Sequence, residues 1–294
     1  TYECFFPHHF LLTEGVLDHV FKVLLPKHRP QDDVPVGFGR PQEEEFAMVM
    51  FGQGSPLNTM AWPRRGPVDT DYLDFDGVPE KKVQRWADRY MWFYRRLMLK
   101  HGKTLVMKTP PNATRIKLLT KLFPDARWVH ISRNPLKVFP STVKLWRALY
   151  SAQGLHNPPY CDPWLDDYVL EILERFTSVY ERDKHLIPEE NLFEIRYEDL
   201  VKDPIGAMRD IYGKLRIDKF DEAEGPMRAT LDDRADHRVS SYKIPKDITQ
   251  RIADRLKPFI EAHGYRAAVD AAIAAADHET ARSGQTKVSE KAVS

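Results

Sequence analysis

Residues 129–146 read VHISRNPLKVFPSTVKLW. With Arg127 and Trp128 in front, the opening residues form RWVHIS (127–132), a short apolar run of strand length. Arg-Asn-Pro breaks the run, and LKVFPSTVKLWRALY (136–150) then takes up helical spacing. Pro135 suits the first position of a helix, where its missing N–H removes no bond and its fixed φ is already helical. Arg133 is thereby left just outside the helix, and Ser141 lies roughly 9 Å further along the axis at 1.5 Å per residue. A guanidinium offers a planar fork to two phosphate oxygens and a hydroxyl donates a third bond, so one phosphate can be held by both. Pro140, inside the helix, removes a backbone bond at a cost of about 3 kcal/mol, and tilting Ser141 toward a ligand is one reason to keep it.

Reading outward, the same pattern recurs. TLVMK (104–108) is brief and apolar like a strand, and after TPPN comes the helical ATRIKLLTKLF (113–123), with Asn112 as its N-cap and Pro124 and Asp125 as its stop. Downstream, a long helix over 163–184 precedes a third strand, LFEIRY (192–197), and the helical KDPIGAMRDIYGKL (202–215). Residues 246–263 form a last amphipathic helix. Strands alternating with helices predict an α/β fold, a parallel sheet flanked by helices. Upstream, Val83, Trp86, Tyr90, Phe93 and Leu97 recur at three and four, one buried helical stripe over 80–101 that Gly102 ends. Residues 1–79 are rich in aromatics, Pro and Gly and read as irregular, apart from a helical LLTEGVLDHVFKVLL (11–25).

Ligands of open parallel sheets sit beyond the C-terminal strand ends. The three predicted strands end in Lys108, in Ser132 and Arg133, and in Tyr197, which brings an ammonium, a guanidinium and an aromatic ring to one edge. Helix N-termini after the first two add positive dipole ends, so the edge favours phosphate. Singly, each residue has a plainer reading: a salt-bridging Arg, a surface Lys, a packed ring.

Composition narrows the classes. Formal charge is +1, with 44 basic against 43 acidic residues, so no global field draws the chain to nucleic acid or an anionic membrane, and any anion site is local. Two cysteines, Cys4 and Cys161, are too few for a disulfide framework and favour a reducing, cytoplasmic setting. No apolar run approaches the ~18 residues of a membrane span.

At these motifs the chain resembles a family. FPDARWVHISRNPLKVFPS (123–141) is similar to the segment by which sulfotransferases hold the 3′-phosphate of 3′-phosphoadenosine 5′-phosphosulfate (PAPS), and IRYEDLVKDP (195–204) to their downstream strand and helix. EEEFAMVMFGQGSP (43–56) and MKTPPNATRIKLLTKLFPDA (107–126) resemble the bacterial branch. The resemblance implies a P-loop-NTPase-like sulfotransferase domain over 1–265; residues 266–294, Ala-rich and then polar, read by composition as a disordered tail. It implies PAPS as co-substrate without a metal, and Arg133, Ser141, Tyr197 and, in a loop over the donor (237–243), Arg238 as donor-binding residues. It implies a small-molecule, lipid or glycan hydroxyl as acceptor, Lys108 as the charge stabiliser and a carboxylate base, for which Glu45 is the candidate, although a plain solvated run is the readier reading of EEE; His8, His9 and His237 remain open. Two departures stand out. Pro110 occupies the position of the catalytic His of cytosolic members, and the family's 5′-phosphosulfate loop is not found, so an N-terminally incomplete chain, transferring sulfate poorly by itself, is expected. A P-loop-like phosphotransferase and a non-catalytic nucleotide-binding relic are the rival readings; the first should carry GxxxxGK[ST], which does not occur here. Oligomeric state is not legible.

Overall fold

The structure, a computed structural model, describes residues 2–21, 40–155, 164–232 and 244–276. The chain divides into two compact units, one of Thr1–Pro124, Val143–Tyr168 and Val179–Leu186, the other of Asp125–Thr142, Val169–Ser178 and Ile187–Ser294.

The first unit holds α1 (Tyr2–Phe5), α2 (Phe10–Phe21), α3 (Glu45–Met50), α4 (Glu80–His101) and α5 (Ile116–Leu122). The stripe predicted for 80–101 is the spine of this unit: Trp86, Tyr90 and Phe93 are all at most 2% exposed. Gly102 closes α4 in the left-handed conformation, φ 59°, and returns its N–H to the Met98 carbonyl, a geometry that costs a residue without Cβ nothing. Trp86 stacks on Tyr90 at 4.9 Å while Phe75 meets its edge at 5.0 Å. Further along α4, Phe93 packs with Tyr2, Cys4, Phe10 and Ala47. The helix read at 11–25 is present as α2 up to Phe21, residues 22–25 lying outside the described residues, whereas α1 and α3 are too short to show a helical period. Asn112 does not cap α5; Arg115 stands at that position, and the Asn112 amide donates to Glu44 instead, at 2.7 Å. TLVMK is not a strand. It joins no ladder among the described residues, and Val106 is 92% exposed, because an apolar run becomes a strand only beside a partner.

Two of the three acids in EEEF are built into this core. Glu45 is fully buried, its Oε2 2.5 Å from Arg115 Nη1 and its Oε1 accepting from Arg115 Nη2 at 2.9 Å and from Ser55 Oγ at 2.5 Å. Arg115 also donates to the Tyr72 carbonyl, through Nε at 3.0 Å and Nη2 at 2.8 Å, and lies 4.7 Å over the Trp86 ring. Glu44 accepts from Tyr90 Oη at 3.1 Å as well as from Asn112. Burial outweighs these bonds and raises its pKa.

The second unit is organised on a parallel pair, β1 (Trp128–Ser132) and β2 (Leu192–Arg196), in register from Trp128 opposite Leu192 to Ser132 opposite Arg196. Between them run α6 (Pro135–Gln153) and α7 (Leu165–Asp183), each of which has stretches in both units. After β2 come α8 (Tyr197–Leu200), α9 (Pro204–Lys214), α10 (Phe220–Asp232), α11 (Lys246–Arg255) and α12 (Lys257–Ala262), and residues 266–276 are helical. The first part of the Ala-rich tail is therefore a helix, anchored by the fully buried Val269; residues 277–294 lie outside the described residues. The single predicted helix over 246–263 is two, parted at Leu256, since Pro258 has no N–H to give the carbonyl four residues back. In α6 the buried residues Leu136, Phe139, Val143, Trp146 and Tyr150 keep the period despite Pro140. On β1, Val129 and Ile131 share one face and remain 44% and 48% exposed. Among the described residues no helix is long and apolar enough to cross a membrane.

Breaking the buried ion pair should be costly: Arg115→Ala leaves the buried Glu45 carboxyl without its partner, an expected loss of about 3–5 kcal/mol in urea unfolding, largely recovered when Glu45→Met and Arg115→Met are combined. A loss within experimental error would show that water reaches the pair. Glu44 sets a pH dependence. Because its folded pKa is raised, the fold prefers the protonated acid; that contribution is whole below the unfolded pKa and is lost as pH climbs through the folded value. Glu44→Gln, which keeps an acceptor for Tyr90 and Asn112, should therefore gain in Tm over the parent as the medium goes from acid to mildly alkaline. A pH-independent difference would refute this.

Candidate functional site

The β1–α6 turn is built as the sequence suggests, with Pro135 opening α6. Asn134 is its cap: the side-chain Oδ1 accepts from Leu136 N–H at 2.9 Å and the carbonyl accepts from Lys137 N–H at 2.9 Å. The Asn134 N–H is also taken, donating to Glu198 Oε1 at 3.1 Å. Several backbone donors of the first turn are thus committed to the turn itself, so here an anion would lean on the Arg133 side chain and the helix dipole more than on free amides.

Arg133 is half-buried and its guanidinium lies 4.2 Å over the Tyr197 ring. The parallel register explains the meeting, because each of these residues directly follows its strand. Such stacking holds the guanidinium plane while leaving its N–H fork free to meet two oxygens. Next in sequence, Glu198 bridges: Oε1 holds Asn134 N–H and Oε2 accepts from Tyr265 Oη at 2.9 Å. Tyr265 is 3% exposed and its hydroxyl, 3.5 Å from Ser132 Oγ, has its pKa pushed up to about 12, chiefly by burial. Ser141 is half-buried on α6. Arg238 and His237 lie outside the described residues. A cleft of about 320 Å³ nearby is lined by Ser132, Glu194, Arg196, Asp199 and His263 and contains none of the predicted donor residues; its Arg196 is held by Asp199 through two hydrogen bonds, at 2.7 and 3.1 Å.

In the first unit, Lys108 is open, its side chain 75% exposed, and its Nζ donates to Glu43 Oε1 at 2.5 Å. Thr109 Oγ1 donates to Glu43 Oε2 at 3.3 Å. Glu43 is 27% exposed, in contrast to Glu45, whose carboxylate has no open side. Of the three consecutive acids, Glu43 is the one beside the predicted lysine. His8 and His9 are exposed, and His8 meets Phe51 edge-on at 4.8 Å. Phe10 is a core residue, 1% exposed.

The structure brings Arg133 and Tyr197 together and adds Glu43, Glu198 and Tyr265, which the sequence reading did not single out. Glu43 and Glu198 sat inside quoted motifs, EEEF and RYEDL; Tyr265, 67 residues beyond its partner Glu198, left no local signal.

A sequence model described as the sulfotransferase family matches residues 62–222. The omega-hydroxy-beta-dihydromenaquinone-9 sulfotransferase Stf3 of Mycobacterium bovis is 34% identical over 264 residues, 90% of this chain and 67% of that protein, and its counterpart in Mycobacterium tuberculosis gives the same figures. Among solved structures, sulfotransferase STF9 from Mycobacterium avium superposes with a TM-score of 0.67 at 21% identity, covering 89% of this chain and 68% of that one. Sulfotransferase STF1 from Mycobacterium tuberculosis does so at 0.54 and 17%, covering 81% and 62%. The superpositions give the P-loop-like sulfotransferase fold, and the family match together with the curated relatives carries the conclusion: this chain belongs to the sulfotransferase family, in its bacterial branch.

Proposed function

We propose that the chain transfers a sulfuryl group from PAPS to the hydroxyl of an apolar acceptor. The observation that carries the donor side is Arg133, set at the mouth of α6 and stacked on Tyr197. In this reading the guanidinium takes two oxygens of the 3′-phosphate, Ser141 donates a third bond, and Tyr197 contributes to the adenine side. Arg238, outside the described residues, belongs to the donor-binding set in this proposal.

During transfer the acceptor oxygen bonds to sulfur, the bond from sulfur to the 5′-phosphate oxygen breaks, and adenosine 3′,5′-bisphosphate leaves with the electron pair. The acceptor proton needs a base, and the departing phosphate needs positive charge. Lys108 supplies the charge. The base role expected of Glu45 falls in our proposal to Glu43, whose carboxylate is partly open and adjoins Lys108; Glu45, closed onto Arg115, supports the segment from behind. An acceptor of lipid character is favoured by the curated relatives, whose name specifies a hydroxylated menaquinone derivative.

Titration calorimetry with adenosine 3′,5′-bisphosphate tests the donor site. Binding should be weakened at least about tenfold by Arg133→Ala, the scale of a lost charge-assisted pair; absence of heat with the parent protein at millimolar ligand would sink the proposal. The base role is separable from donor binding: Glu43→Gln should lower kcat by about 10²-fold or more while bisphosphate affinity stays within about twofold, whereas Lys108→Ala should lower kcat as much and also weaken the bisphosphate, whose 5′-phosphate is the group the lysine faces. If Glu45→Gln abolishes turnover in a folded protein and Glu43→Gln does not, the base assignment is reversed.

A further inference from the structure

A carboxylate beside an anion-binding turn is at first sight misplaced, because it repels what the turn attracts. Glu198 nonetheless sits one residue from Tyr197 and bonds directly to the turn that carries Arg133. Its two oxygens do two different things: one fixes the Asn134 N–H, the other is fixed by the buried Tyr265 hydroxyl. Tyr265 is itself held, its ring stacked on Phe259 at 5.9 Å and its hydroxyl shared with Ser132, the last residue of β1. The dipeptide Tyr197-Glu198 therefore holds the dipeptide Arg133-Asn134 at two points, the guanidinium through its flat face and the backbone through an N–H.

We infer that Glu198, anchored by Tyr265, is a positioning residue for donor binding: it keeps the β1–α6 turn in the form that presents Arg133, without touching the donor itself. The inference rests on the reading of Arg133 as the 3′-phosphate ligand. Its physical basis is preorganisation. A guanidinium whose backbone is already fixed gives up less freedom on binding than one on a loose turn, and that difference appears as affinity. The commitments of the first turn make the point sharper. Leu136 and Lys137 N–H groups bond back to Asn134, and Asn134 N–H bonds to Glu198, so the affinity of the turn depends on where the Arg133 side chain stands.

The test compares two ligands on the full chain, adenosine 3′,5′-bisphosphate and adenosine 5′-monophosphate, which lacks the 3′-phosphate. Glu198→Ala should weaken the bisphosphate about tenfold and leave the monophosphate within about twofold. Glu198→Gln, which can accept from Asn134 and donate to the Tyr265 oxygen, should recover most of the loss. Tyr265→Phe, which removes one hydroxyl only, should fall between, and it carries the test if Glu198→Ala does not fold. Unchanged or tighter bisphosphate binding in both Glu198→Ala and Tyr265→Phe overturns the inference, since the freed Asn134 N–H would then serve the phosphate itself. Equal losses for both ligands overturn it as well, marking a role in general stability. Should Arg133→Ala leave bisphosphate affinity intact, the donor assignment fails first and separately.

Discussion

Ser132 stands opposite Arg196 in a parallel ladder, and much of the candidate donor site follows from that one register. Strands that run the same way deliver their next residues to the same edge, so Arg133 and Tyr197 meet although 64 positions separate Asn134 from its own partner Glu198. A slip of one residue would turn every side chain of β2 to the opposite face and part the ring from the guanidinium. The register is held from both sides of the turn. Pro135 and the Asn134 cap fix where α6 begins, and Glu198 ties that start back to the helix after β2.

The acidic triplet shows how environment divides identical residues. Glu43 pairs with Lys108 near the surface, where screening by water leaves an ion pair worth less than about 1 kcal/mol, so the pair can open for a ligand at little cost. Glu44 is buried between two neutral donors and is pushed toward its protonated form. Glu45 is buried against Arg115, whose guanidinium meets both of its oxygens. Glu45 opens α3 and Glu44 is its N-cap in helical geometry, whereas Glu43 precedes the helix, so the three carboxylates leave the chain in different directions, one outward and two inward.

Those directions are why the sequence served some features and not others. The α4 stripe and the β1–Pro135–α6 boundary were legible because both rest on local spacing, of apolar residues in one case and of Pro and Asn in the other. Arg133 and Tyr197 were legible because a strand end is a local property as well. Which of three adjacent acids faces solvent is decided by Arg115, 70 positions beyond Glu45, and no period in the EEEF segment reports it. The Tyr265 contact is equally remote. TLVMK failed for a related reason: its composition suits a strand, but pairing depends on a neighbour, which composition does not disclose. α10, with no buried residue and Pro226 within it, offered no stripe to read.

Val129 and Ile131 have a practical bearing. Parallel strands ordinarily lie between two layers, yet these aliphatic side chains of β1 meet water, on a sheet of only two strands among the described residues. Such a ribbon attracts other chains, through its aliphatic face and through the amides along any unpaired border. Sulfate and phosphate buffers, which strengthen apolar association, will favour clumping of this protein at high concentration, so dilute, low-salt handling suits it better. Colloidal behaviour on the bench is thus tied to the same short strand that leads into Arg133.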